Sequence, residues 1–171
     1  RRSSERRVGG LDSGIYRSFN GGSSWTRLTS GLPLHGTVGR IGLAVAPSNP
    51  QRLYAMICDH PGYMIDIYRS NNGGTTWTAL SVPGYISYNI CASYGWYFGQ
   101  LEVDPLEEDR VYALGVLMYR SDTGGGNWTR VFGDAHVDHH ALWINPDNPA
   151  HVVDGNDGGV NVSISYGTNS T

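Results

Sequence analysis

The sequence predicts an all-β chain, a β-propeller of four-stranded antiparallel blades, with about three blades present as part of a larger propeller. Three observations predict it: a composition suited to short strands and tight turns, a hairpin segment that recurs four times, and a strand–turn–strand element that recurs ahead of that hairpin.

Composition excludes several classes at once. Hydrophobic residues make up 39% and charged residues 16%, the balance of a folded chain and not of a disordered one. Of the 171 residues 24 are glycine, about twice ordinary usage, accompanied by 11 tyrosines and 5 tryptophans. No segment sustains a helical period, and none approaches the roughly 20 apolar residues of a membrane span. All 12 basic residues are arginine and the net charge is −3, which argues against a nucleic-acid partner. Arg1, Arg2, Arg6 and Arg7 cluster at the start, over residues 1–8, as a solvated tail or a segment docked elsewhere. No signal peptide is visible, which leaves a mature, internal or cytosolic chain open.

The recurring hairpin reads Ile15–Trp25, Ile67–Trp77 and Met118–Trp128, with a decayed fourth copy at Val160–Ser170. Its anchoring serines, Ser18, Ser70, Ser121 and Ser163, stand 52, 51 and 42 residues apart, a blade-length period. The physics of the segment is that of a turn. Ile-Tyr-Arg-Ser is a short strand, and an Asn two residues after the Ser folds back onto backbone amides. Glycines supply positive φ, and a Trp opens the returning strand and covers the hairpin. Ser18, Asn20, Gly22 and Trp25 play these parts in the first copy, and Ser70, Asn72, Gly74 and Trp77 in the second. In the third they fall to Ser121, Gly125 and Trp128, with Thr123 at the Asn position.

The second element runs Arg40–Pro50 then Arg52–Ile57, again Gln100–Pro105 then Arg110–Leu114, and again Ala141–Pro149 then His151–Val153. Each is strand, Pro-bounded turn, strand, and with the hairpin it completes four strands per period. The expected organisation is an Arg-rich tail at 1–8 and a partial propeller over 9–171. Its blade portions are 9–33, 38–82, 98–133 and 138–171. A partial ring needs cover for its open edges, from remaining blades of the same propeller or from neighbouring subunits.

These hairpins resemble the Asp box, or BNR repeat, Ser-x-Asp-x-Gly-x-Thr-Trp, with Asn20 and Asn72 in place of the Asp. The order of motifs resembles the Asp-box propellers that include xyloglucan-degrading glycoside hydrolases and sortilin-type receptor ectodomains. It is most similar to a bacterial, extracellular, glycosyl-hydrolase-like branch carrying the motifs found here at Gly39–Pro47, His136–Trp143 and Gly155–Gly159. The resemblance implies a secreted or cell-surface location and a glycan or protein ligand. It also implies that the boxes lie at the blade periphery as structural turns.

Two segments carry candidate chemistry. In a regular strand His136, Asp138 and His140 share one face, a geometry able to hold a metal, with Trp143 following and Asn156 and Asp157 downstream. The alternative is a hydrogen-bonded network of histidines and aspartates that joins blades. Tyr94, Trp96, Tyr97 and Phe98 belong to an aromatic run in the connection between the second and third blades, suited to stacking on sugar rings, to partner recognition or to packing a seam. No cofactor beyond that candidate metal is implied. Cys58 and Cys91 are candidates for a disulfide stapling this connection to its blade. A glycosidase needs two carboxylates across a cleft, for which Asp138 and Asp157 are the candidates, while Asp104 reads as a turn residue. A binding or scaffolding module is the leading reading, and a xyloglucanase-like hydrolase the alternative.

Overall fold

The computed structural model describes residues 8–33 and 35–169, so the arginine cluster at Arg1 to Arg7 and Ser170 lie outside the described residues. Four antiparallel sheets follow one another along the chain, each an up-and-down meander. Sheet one pairs β1 (Ile15–Arg17) with β2 (Thr26–Leu28). Sheet two holds β3 (Val38–Ala46), β4 (Asn49–Asp59), β5 (Met64–Ser70) and β6 (Thr78–Ala79). Sheet three holds β7 (Gln100–Val103), β8 (Val111–Leu114), β9 (Met118–Ser121) and β10 (Thr129–Val131). Sheet four holds β11 (His139–Ile144), β12 (Val152–Asn156) and β13 (Gly159–Ser163). The all-β expectation is met, with one departure: Gly84–Cys91 forms a helix, α1, inside the connection read as irregular. Ile86, Ile90 and Cys91 are buried, which holds so short a helix in place.

The middle strands explain why the sheets stack. On β4, Tyr54, Met56 and Cys58 face the seam with sheet three, whereas Ala55 and Ile57 face the seam with sheet one. On β8, Val111 and Ala113 face sheet two, and Tyr112 and Leu114 face sheet four. Both runs are buried residue after residue, so each strand needs a sheet on either side. Where the inner strands β3 and β7 approach, a Cβ on Gly42 would lie 1.9 Å from the Gly99 carbonyl oxygen, so only glycine fits.

The recurrent turns share one hydrogen-bond pattern. Ser18 Oγ accepts from the N–H groups of Asn20 and Gly22, and Asn20 Oδ1 accepts from Ser24 N–H. Ser70 and Asn72 repeat this with Gly74 and Thr76. Thr123 Oγ1 substitutes for the Asn oxygen in the third turn, accepting from Asn127 N–H at 3.0 Å. Ser163 preserves the anchor in the fourth, accepting from Ser165 and Gly167. The tryptophans are not equivalent. Trp77 is buried against sheet one, its backbone N–H donating to Ser30 O, while Trp25 is 62% exposed because no sheet among the described residues covers that side. The Pro-bounded turns of sheets three and four are Asx turns: Asp104 accepts from Leu106 and Glu107 N–H, and Asn145 accepts from Asp147 and Asn148 N–H.

An arginine before each of the first three anchoring serines ties one sheet to the next. Arg17 donates to Gly73 O, Arg69 to Gly124 O at 2.9 Å, and Arg120 to Tyr166 O at 2.6 Å. Each guanidinium thus crosses a seam to the first half of the neighbouring turn, and Val162 occupies the corresponding position in the fourth repeat. No helix among the described residues is long and apolar enough to cross a membrane.

Two outcomes follow from this perimeter. Arg69→Ala removes the bond to Gly124 and is expected to cost about 1–3 kcal/mol, measured by urea unfolding. Burial pushes the Asp122 carboxyl up, but hydrogen bonds from Arg110 and Arg120 outweigh it and hold the group below its ordinary value. That stability is present above the ordinary carboxylate pKa and is lost as pH falls through the depressed one. Asp122→Asn should therefore flatten the acid limb of the stability–pH profile while leaving its alkaline limb unchanged.

Candidate functional site

The segment after β10 does not continue as strand. Asp138 takes φ +67°, a conformation costly for a side-chain-bearing residue, and β11 starts only at His139. Asp138 and His139 N–H donate to Val116 O and Gly115 O, fixing this entry against the β8–β9 turn. The β11–β12 register then slips: His139 pairs with Asn156 and Ala141 with Gly155, leaving His140 as the bulged residue. The period-of-two expectation for His136, Asp138 and His140 is therefore overturned by a bulge and a left-handed residue. His136 is exposed, its Nδ1 2.8 Å from Val137 O and its Cβ beside Gly158. Among the described residues no group of three or more His, Cys, Asp and Glu side chains is arranged to hold a metal, so the proposed triad is not assembled.

Two His–Asp pairs result, with opposite surroundings. His139 is 2% exposed and its Nδ1 lies 2.9 Å from Oδ2 of the fully buried Asp154. Asn156 Nδ2 donates to the same carboxylate and to Asn161 Oδ1, while its own oxygen accepts from Gly158 N–H. This buried network braces the turn that carries Asp157. His140 lies half-buried with Nε2 2.7 Å from Oδ1 of the exposed Asp157. A carboxylate only accepts, so Nε2 carries the proton of this bond and Nδ1 is left without a part in it.

The aromatic run converges on the second pair. Ala92, with φ +47°, ends α1 and turns the chain into residues 94–98. Phe98 is buried, and its ring centroid stands 5.4 Å from that of His140. Tyr97 meets the same imidazole edge-on at 5.6 Å and is half exposed, as is Tyr94. Tyr94, Tyr97, Phe98, Asp138, His140 and Asp157 line an open depression of about 400 Å³, floored by Ala92 and Val116. Two of its residues, Ala92 and Asp138, hold strained positive φ, a feature that concentrates at functional sites. A smaller apolar gap of about 80 Å³ lies between sheets one and two, lined chiefly by aliphatic side chains such as Ile15, Leu28 and Ile57.

Of the residues expected to bind ligand, Tyr94, Tyr97, Asp138, His140 and Asp157 are brought together. Four others are not, His136 among them. Trp143 sits on the far face of β11, 51% exposed and edge-on to His151. Asn156 is consumed by the buried network, and Trp96 is half-buried beside Gly62. Phe98, Ala92 and Val116 were not among those expected; Phe98 belonged to the aromatic run, but nothing in sequence marked the other two. Cys58 and Cys91 are adjacent, as thiols with Sγ atoms 3.7 Å apart.

No family model matches the chain. It is 29% identical over 131 residues to a xyloglucanase of a Paenibacillus species, which takes in 69% of this chain and 12% of that protein. Among solved structures, the GH74 enzyme of Niastella koreensis superposes with a TM-score of 0.72 at 21% identity, over 96% of this chain and 26% of that one. The GH74 xyloglucanase of Xanthomonas campestris gives 0.68 at 18% identity, over 97% and 28%. YCF48 bound to a D1 peptide gives 0.54 at 11% identity, over 96% and 44%. The chain therefore has a propeller-type fold and corresponds to part of a propeller, spanning about 12% of the curated relative and about a quarter of the two GH74 structures.

The two His–Asp pairs separate in a stability experiment. Asp154→Ala strands His139 Nδ1 and leaves Asn156 Nδ2 only its bond to Asn161, and is expected to destabilise by about 3 kcal/mol in chemical unfolding. Asp157→Ala touches an exposed pair and should stay within about 0.5 kcal/mol of the parent.

Proposed function

We propose that this chain is part of an extracellular Asp-box propeller whose depression at Tyr94, Tyr97, His140 and Asp157 binds a glycan. The observation that carries this reading is the convergence of exposed aromatic faces with a His–Asp pair and a second carboxylate, Asp138, in one open hollow. Sugar rings offer apolar C–H faces for Tyr94 and Tyr97 and hydroxyls for the His140 and Asp157 polar atoms. Kinship in fold with xyloglucanases supports a plant-type β-glucan as ligand, and a polymer of that kind is met outside the cell. The Ser–Asn/Thr–Gly–Trp turns act as structural Asp boxes, since their polar atoms are used within the turn.

The remaining blades of the ring pack on both open sides. Leu43 and Val45 are half exposed on one side, where their counterparts Leu101 and Val103 are buried, and Val160 is exposed on the other, where its counterparts Ile67 and Met118 are buried.

A second reading, glycoside hydrolysis, is favoured by the presence of Asp138 and Asp157 in the same hollow. One of them would act as acid and the other as base or nucleophile.

Titration calorimetry with xyloglucan oligosaccharides tests both. Tyr97→Ala is expected to weaken binding roughly five- to tenfold, the worth of one stacking contact. No binding by the parent, or equal binding by the variant, would sink the glycan reading. If reducing sugar is released from xyloglucan and Asp138→Asn abolishes release without changing unfolding, the chain's own carboxylates perform hydrolysis. Binding without release leaves a binding module.

A further inference from the structure

Two thiols meet beneath the aromatic segment. Cys58 stands near the end of β4 and Cys91 is the last residue of α1; both are buried, with Sγ atoms 3.7 Å apart. A disulfide holds its sulfurs at about 2.05 Å, so closing the gap asks for a shift of only about 2 Å, within reach of side-chain rotation and a small movement of the helix end. The cross-link would span 33 residues of chain, including β5, the second turn, β6 and α1.

The position of these sulfurs matters more than their proximity. Cys91 immediately precedes Ala92, the strained residue that launches the segment bearing Tyr94, Tyr97 and Phe98. That segment already rests on Cys58: a Cβ on Gly95 would come within 2.5 Å of its Sγ, and Gly95 N–H donates to Gly62 O at 2.7 Å. Helix α1 has no side-chain cap at its N-terminus and is eight residues long, so its hold on the sheet is tertiary. One covalent link at its last residue would convert that hold into a fixed anchor for the wall of the depression.

We propose that Cys58 and Cys91 form a reversible disulfide that staples segment 92–98 to β4 and fixes the aromatic wall of the depression. Its effect on ligand rests on the glycan reading; its effect on the segment does not. The oxidant is a low-molecular-weight disulfide such as oxidised glutathione. One protein thiolate attacks it, giving a mixed disulfide and releasing one glutathione thiol. The second protein thiolate then attacks the protein sulfur of that mixed disulfide, forming the Cys58–Cys91 bond and releasing the second glutathione. The protein gives up two protons and two electrons, and the glutathione disulfide takes them. The hydrogen bond with Cys91 and burial both push the Cys58 thiol up, so the closed form resists attack and exchange proceeds through opening of the segment.

The test equilibrates the chain in mixtures of reduced and oxidised glutathione, then denatures, alkylates and weighs it. Under oxidising mixtures neither cysteine should be alkylated, the mass should fall by two hydrogens, and a digest should contain a linked Cys58–Cys91 peptide. Chymotryptic cleavage at Tyr94 to Phe98 should slow about tenfold in the oxidised form. Xyloglucan-oligosaccharide affinity should rise with oxidation, and Cys91→Ser should hold the reduced form's values in every mixture. The proposal is overturned if both thiols stay alkylatable or end as separate glutathione adducts. It is equally overturned if oxidation leaves cleavage of the segment unchanged, or if metal analysis of the purified chain finds a stoichiometric soft ion on these sulfurs. A linked pair with a protected segment but no oligosaccharide binding in either state would sustain the staple and remove the glycan reading. Binding that ignores redox state, with cleavage unchanged, would do the reverse.

Discussion

Burial of the middle strands on both faces is the constraint from which the architecture follows. A strand such as Leu53–Cys58, with apolar side chains alternating toward two seams, cannot lie at a surface on either side. The same holds for Val111–Leu114. Sheets two and three are therefore held between neighbours, and the twist of antiparallel sheets fans the stack around the axis near β3, β7 and β11. Close backbone approach at Gly42 brings those inner strands together. Connections from different sheets then converge at the ends of inner strands. This is why residues 92–98, ahead of β7, meet residues 138–140 at the start of β11.

At the rim a different chemistry holds the same stack. Arg17, Arg69 and Arg120 each reach across a seam to a backbone carbonyl of the next turn. For Arg17 and Arg69 the buried Nε finds no partner among the described residues, so each latch carries a desolvation cost against its charge-assisted bond. The third latch is reinforced. Arg120 also binds Asp122, and Tyr166, standing where the earlier turns have glycine, receives Arg110 over its ring at 4.3 Å. The decayed repeat is thus still engaged on the side facing sheet three, and its own Val162 departs from the pattern only on the opposite side.

Period and turn chemistry were legible in the sequence because both are local. The serine spacing, the Ser–Asn–Gly pattern and the Pro-bounded turns each report on a few consecutive residues, and the sheets and hydrogen bonds follow them. The helix was not legible. Gly84–Cys91 has no cap box and little amphipathic pattern, and it is helical because Ile86 and Ile90 find a seam to fill. The convergence of the two candidate segments was likewise invisible, since it depends on how neighbouring sheets are juxtaposed. Reading His136, Asp138 and His140 as one face failed for a local reason with a distant cause. The bulge at His140 and the turned Asp138 are set by pairing to Asn156 and by backbone bonds to Gly115 and Val116.

That bulge distinguishes two side chains that sequence makes look alike. His139 stays in the ladder, its ring driven inward to a carboxylate with no solvent exposure. His140, released from the ladder, leans on Phe98 and Tyr97 and meets Asp157 at the surface. The inner pair gives rigidity: Asp154 and Asn156 brace the turn from which Asp157 projects. The outer pair lines the hollow, where a ligand hydroxyl can reach its polar atoms. Strain at Asp138 and Ala92 falls on the two segments that form opposite walls of this hollow. Strain of this kind persists only where surrounding structure over-determines it. Here the stacked sheets and the buried His139–Asp154 network supply that restraint, and the preorganised wall is what a stacking site requires if a sugar is to bind without first ordering the loop.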